Sequence, residues 1–134
     1  LGYLGEYKIV DLKTMGSIQK YYLQKTLITK QLNNIKFIEN IESSENLKNR
    51  NLTKILIATY SVSEMQLLAR EGFEKHYKEF DYLFFSYQEN FQNIDNVKYF
   101  TKLITQLPEF KLVDHITDLK RVDTPVYHLL LKRI

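Results

Sequence analysis

The run Lys54-Ile55-Leu56-Ile57-Ala58-Thr59-Tyr60 constrains this chain more than any other stretch, because it is apolar almost without interruption and shows no polar alternation. A strand of that kind is at home in a parallel sheet, where helices cover both faces. It is therefore expected at the centre of the sheet. It opens into Ser61-Val62-Ser63-Glu64-Met65 and then into a segment with helical spacing, and the carboxyl end of such a strand is where α/β proteins keep ligand-binding groups. The same polar residues also suit a helix entry, with Ser61 or Ser63 as the cap and Glu64 in the favourable first turn.

The remaining elements follow from periodicity. Tyr7 to Leu12 reads as a strand, preceded by Gly5. Met15, Ile18, Tyr22, Leu23 and Thr26 recur at spacings of three and four, giving one apolar face of a helix that Thr14 or Ser17 can cap. Ile35 to Glu39 is a second strand, and the polar stretch from Asn40 to Thr53 reads as a loop or short irregular helix. After the central run, Met65, Leu68, Ala69, Gly72, Phe73, His76, Tyr77 and Phe80 form a helical stripe, with Gln66, Arg70, Glu71, Glu74, Lys75 and Lys78 away from it. Tyr82 to Tyr87 is another buried strand. A helix marked by Val97, Phe100, Leu103, Ile104 and Leu107 is stopped by Pro108, because the residue before proline disfavours helix. Phe110 to Ile116 and Val126 to Lys132 are two consecutive strands, and strands joined without a crossover helix are antiparallel. The fold class is α/β, with a last strand that runs against the others.

Composition sets the outer limits. The 134 residues, 44% hydrophobic and including ten Tyr and eight Phe, are enough for one domain with one core. The net charge of +3 is spread along the chain, with no basic cluster longer than a pair such as Lys132-Arg133, so nothing resembles a phosphate-tracking stripe and nucleic acid is not the expected partner. The absence of cysteine excludes disulfides, thiolate metal sites and cysteine nucleophiles, and is compatible with a reducing, cytoplasmic compartment. No apolar segment approaches the length of a membrane span. The three His have no metal-binding spacing, and neither a Gly-x-Ser-x-Gly turn nor a Gly-x-x-x-x-Gly-Lys phosphate loop is present. No metal is expected.

The residues that end the strands are the ones to inspect. Asp11 can accept both hydroxyls of a ribose, or serve as a helix cap or solvated loop acid. Glu39 and Asn40 can meet an adenine edge, or form an ordinary turn. Tyr60, Ser61, Ser63 and Glu64 end the central run. His76 falls on the apolar stripe, where a satisfied core histidine is the plainer reading.

Three sets of residues carry a resemblance to a known family. They are Ile9-Val10-Asp11-Leu12 followed by Gln19-Lys20-Tyr21-Tyr22-Leu23, then Tyr60-Ser61-Val62-Ser63-Glu64-Met65, and finally Tyr87-Gln88 with Phe91 and Ile94-Asp95-Asn96. In order and spacing they resemble the sugar O-methyltransferases among the S-adenosylmethionine-dependent enzymes with a Rossmann-like fold. The resemblance implies a seven-stranded sheet with helices on both faces and an antiparallel last strand inserted beside the fifth. It implies that Asp11 and Leu12 hold the ribose side of S-adenosylmethionine, Glu39 the adenine, and Tyr60 and Ser61 the methyl side. Glu64 is then the first choice of base and His76 the second, with a small-molecule or glycan hydroxyl as acceptor.

The first strand of that family and its glycine-rich turn are absent from this sequence. The missing strand would lie between the one ending at Asp11 and the one ending at Tyr60. Because the sequence opens with Leu1-Gly2-Tyr3, it is expected to be processed or to be the C-terminal part of a longer catalytic domain. The alternative is a non-catalytic α/β interaction module that lacks the cofactor turn. A dehydrogenase-like protein is disfavoured by the closing strand pair.

Overall fold

The computed structural model describes residues 5–11, 13–27, 32–38, 52–118 and 125–134. The expected loop over 40–53 therefore lies almost wholly outside the described residues, as do Leu12 and Glu39. The chain divides into two compact units, Leu1–Asn46 and Leu47–Ile134.

In the first unit, β1 (Tyr7–Val10) and β2 (Ile35–Ile38) form a parallel pair in register from Tyr7 opposite Ile35 to Val10 opposite Ile38, with α1 (Lys13–Thr26) between them in the chain. The helix does not bury the face that its periodicity suggests. Of that face Met15, Ile18, Tyr22 and Thr26 are exposed and Leu23 is half-buried, joined by Gly16 and Gln19 from outside it. The spacing of three and four is kept, but rotated. A polar contact helps to set the phase, since Gln19 Nε2 donates to Asp11 Oδ2 at 2.8 Å.

The second unit carries β3 (Ile55–Thr59), α2 (Leu67–Glu74), β4 (Tyr82–Gln88), a two-residue hairpin of β5 (Asn90–Phe91) and β6 (Ile94–Asp95), α3 (Asn96–Gln106), β7 (Phe110–Asp118) and β8 (Val126–Arg133). A single 3-10 turn, Tyr77–Glu79, follows α2. The sheet order is β3-β4-β8-β7. Strand β3 runs parallel to β4, whereas β8 is antiparallel to β4 on one side and to β7 on the other. The closing pair thus has the expected direction. Val113 has no partner on β8, because the register shifts between Leu112 and Asp114 there, the mark of a β-bulge.

Among the described residues the interior strands of this sheet are β4 and β8, not β3. Strand β4 has a neighbour on each side and buries Leu83, Phe85 and Tyr87 completely. Among the described residues strand β3 pairs with β4 alone, and its Ile55 and Ile57 are 54% and 58% exposed. An apolar run reports that a strand is suited to be covered, not which neighbours cover it. The correction matters for the site, because β3 presents an open apolar edge.

The core of this unit is aromatic. Phe85 lies 5.4 Å from the Tyr77 ring and 5.2 Å from Phe100, and Tyr87 stacks on Phe100 at 4.1 Å. Helix α3 supplies Phe100 and Leu103, and β8 supplies Leu129 and Leu131. The start of α3 is capped by Asp95, whose carboxylate accepts from the Lys98 amide at 2.8 Å. At the other end of the sheet Asp81 joins three elements. Its carboxylate accepts from the Lys54 amide at 2.7 Å, its own amide donates to Lys54 O at 2.8 Å, and its carbonyl accepts from the Arg133 amide at 2.8 Å.

Burial pushes the Tyr87 phenol up from its ordinary value of 10 to about 12, with the Tyr127 ring beside it adding to the shift. Tyr77 and Tyr99 are driven higher still, again chiefly by burial. A phenol with a raised pKa in the folded state keeps its proton where the unfolded chain has lost it. Its stabilising contribution is complete below pH 10 and is lost as the pH rises through the folded value. We therefore expect folding stability to fall from about pH 10 upward, and three phenolate transitions to appear late in an ultraviolet titration. Coincident early ionisation of all ten tyrosines would contradict this packing.

Among the described residues, no helix is long and apolar enough to cross a membrane.

Candidate active site at the carboxyl ends of β3 and β4

The ladder between β3 and β4 continues one residue beyond β3, with the Tyr60 amide donating to Ser86 O at 2.8 Å. There the backbone turns sharply. Tyr60 adopts a φ of 64°, a left-handed conformation that a side chain other than glycine enters at a cost on the order of 1 kcal/mol. The turn that follows is closed by the Glu64 amide donating to Tyr60 O at 2.9 Å and the Met65 amide to Val62 O at 3.1 Å. Val62 and Ser63 form its buried foot, while Ser61 and Glu64 are exposed and Tyr60 is partly so.

Beneath the turn lies a polar cluster that ties β3 to β4. Ser63 Oγ is 2.9 Å from Tyr60 O and 2.9 Å from Gln88 Oε1. A hydroxyl has one proton to give, so both contacts are satisfied when Ser63 donates to Tyr60 O and the Gln88 amide is turned to donate to Ser63. Asn96, fully buried at the start of α3, donates from Nδ2 to Gln88 O at 3.0 Å and from its backbone amide to Glu89 O at 2.8 Å. The hairpin brings a second left-handed residue, Gln92 with φ 52°, and its Oε1 accepts from Gln66 Nε2 at 2.6 Å. Hydroxyls, amides and one carboxylate therefore surround the strand ends. Such a set can hydrogen-bond a polar ligand and, through Glu64, accept a proton.

The serines do not cap the helix. Helix α2 starts at Leu67 with Gln66 as its N-cap, and no side chain bonds there. What ties the helix to the turn is instead a donor from inside the helix, Arg70, which the periodicity placed on the solvent side. Arg70 is fully buried, and its Nη2 donates to Ser63 O at 2.6 Å and its Nε to Met65 O at 3.0 Å. The guanidinium lies 4.5 Å over the Tyr99 ring, and Tyr99 in turn donates to Glu74 Oε1 at 2.6 Å. Burial lowers the Arg70 pKa, opposed by Tyr99, Tyr77 and Glu74. The inner face of α2 is thus Arg70, Phe73 and Glu74, leading on to Tyr77, while Leu68 is 81% exposed. The apolar count alone could not show this, because unpaired carbonyls decide where the arginine goes.

Of the other residues singled out in the sequence, Asp11 ends β1. Its amide donates to Ile38 O at 3.4 Å, and its carboxylate lines a cavity of about 600 Å³ together with Ile9, Ser17, Lys20 and Phe37. His76 is not brought to the turn that follows β3. It lies beyond the end of α2, whose eight residues at about 1.5 Å each span about 12 Å. There it is buried with Nδ1 at 3.1 Å from Glu79 Oε1, packed edge-on to Phe73. The plain reading of a satisfied core histidine describes it.

No family model matches the chain, and no curated protein matches it. Among solved structures it is similar to a chain of the Pnkp1/Rnl/Hen1 RNA repair complex, with a TM-score of 0.67 and 14% sequence identity. The match covers 98% of this chain and 32% of that one, so this sequence spans about a third of its neighbour's length. At this identity the likeness speaks for the fold alone, which is mixed α/β.

Proposed function

We propose that this chain is the later part of an S-adenosylmethionine-dependent O-methyltransferase that acts on a sugar or glycan hydroxyl. The observation that carries the reading is the sheet order β3-β4-β8-β7, with β8 antiparallel between its neighbours and an unpaired apolar edge on β3. That order is consistent with what the family resemblance implies, and an open edge on β3 could accept a further strand. The left-handed Tyr60, the exposed Ser61 and Glu64, and the buried amides beneath them add a polar site at the strand ends.

In this reading Asp11 and Leu12 would hold the ribose side of the cofactor, Glu39 the adenine, and Tyr60 and Ser61 would face the methyl group. The cofactor, when bound, supplies a methyl group on a sulfonium. Glu64 takes the proton of the acceptor hydroxyl, and the turn aligns that oxygen for in-line attack. Glu64 replaces His76 as the only base retained, since His76 is buried against Glu79 and Phe73. Asp11→Ala in a protein that includes the glycine-rich turn is expected to raise the cofactor dissociation constant about 10-fold or more, measured by calorimetry. Unchanged affinity would remove Asp11 from the site.

A second reading, a non-catalytic interaction module, is favoured by the exposed apolar residues on two sheet edges, Ile55 and Ile57 on β3 and Leu112, Val113 and Ile116 on β7. The parent reading frame separates the two. A strand followed by Gly-x-Gly before this segment supports the enzyme, and its absence there supports the module.

A further inference from the structure

Three features of the turn after β3 are otherwise unconnected: a strained tyrosine, two serines that cap nothing, and a buried arginine with no carboxylate bonded to it. We infer that Arg70 is the positioning residue of the Tyr60–Met65 turn, holding by its two-pronged contact the single backbone shape that points Tyr60 and Ser61 outward. For its functional meaning this rests on the proposed reading above, in which Tyr60 and Ser61 meet the cofactor.

The geometry follows from the donors. Ser63 O and Met65 O lie on either side of a bend, and one planar group reaches both, Nη2 to the first and Nε to the second. Arg70 has its place fixed from behind by the Tyr99 ring, and Tyr99 is fixed by Glu74, one helical turn beyond Arg70 on α2. The hold therefore runs from a rigid helix to a turn that carries its own closing bonds at Glu64 and Met65. Through Ser63 Oγ the same turn is joined to Gln88 on β4. Lysine cannot substitute, because an ammonium on a flexible stem offers no fixed fork to two carbonyls. The remaining terminal nitrogen, Nη1, is buried without a hydrogen-bond partner among the described residues. A buried group left so is kept only where its other contacts outweigh the cost, and here those contacts are the two carbonyls and the ring.

The test is amide hydrogen exchange by NMR on this chain and on its Arg70→Lys and Arg70→Met variants. The Glu64 and Met65 amides, both bonded within the turn, are the reporters, and the amides of Leu83, Phe85 and Leu129 report on the core. In Arg70→Lys the two turn amides are expected to exchange about 10-fold faster or more while the core amides keep their protection, because only local opening changes. Turn amides that keep the wild-type rate in Arg70→Lys overturn the inference. Should Arg70→Met fail to fold, the lysine variant still decides. Titration with S-adenosylhomocysteine at millimolar concentration separates the two readings. If Arg70→Lys frees the turn but the ligand shifts no resonance of Tyr60 to Glu64 in the wild type, the methyltransferase reading fails and the role of Arg70 stands. If the ligand shifts those resonances and Arg70→Lys leaves the turn closed, the role of Arg70 fails and the methyltransferase reading stands.

Discussion

Phe85→Ala is expected to remove about 3–5 kcal/mol from the folding stability of the second unit, a large share of the about 5–15 kcal/mol that a domain possesses. Phe85 is fully buried in the middle of the interior strand β4, and its ring meets Tyr77 from the segment after α2 and Phe100 from α3. It also stands opposite Leu129 of β8 and Ala58 of β3 in the two ladders, so its side chain is packed among elements that converge from every direction. A cavity there cannot close by the shift of one loop, because two helical segments and three strands hold its walls. Phe85→Leu, which keeps most of the volume, is expected to cost well under half as much. Denaturant unfolding of the two variants reads the difference. A loss below about 1 kcal/mol for the alanine variant would mean that the site collapses freely and that the aromatic core is not what holds the unit together.

The elements most easily read from the sequence are those whose burial is decided locally. Strand β4 and helix α3 were legible because Leu83, Phe85 and Tyr87 alternate and because Val97, Phe100, Leu103 and Ile104 recur at helical spacing before Pro108. The direction of β8 was legible from the short connection to β7. Where burial depends on a distant partner, the pattern fails. Strand β3 reads as central from Ile55-Leu56-Ile57, yet neighbours are not encoded in a strand's own residues, and the structure leaves Ile55 and Ile57 at an edge. Helix α1 keeps its period but turns Met15 and Ile18 outward while Gln19 reaches Asp11. Helical spacing puts Arg70 away from the apolar stripe, and only the carbonyls of Ser63 and Met65 explain its burial. At the site itself, the polar character of Tyr60 to Glu64 was visible in the sequence. The left-handed Tyr60 and the amides of Gln88 and Asn96 beneath it were not, since nothing in local composition announces a positive φ in tyrosine.

The second large effect concerns the cofactor. An unpaired strand edge leaves backbone donors and acceptors unused, and the glycine-rich turn that cradles the amino-acid part of S-adenosylmethionine in the resembling family has no counterpart in this sequence. The residues that the proposal assigns to the cofactor are Asp11 in the first unit and Tyr60 and Ser61 in the second. They are expected to hold S-adenosylhomocysteine with a millimolar dissociation constant, about 4 kcal/mol of binding, against about 8 kcal/mol for a micromolar site. Joining the chain to a preceding strand and Gly-x-Gly turn from its parent reading frame is therefore expected to tighten binding about 1,000-fold.

The most direct measurement is a titration of the 134-residue chain with S-adenosylhomocysteine, followed residue by residue by NMR. The account predicts millimolar affinity, with shifts at Asp11 and at Tyr60 to Glu64. No shift at those residues at millimolar ligand, or a micromolar constant without the glycine-rich turn, would contradict it.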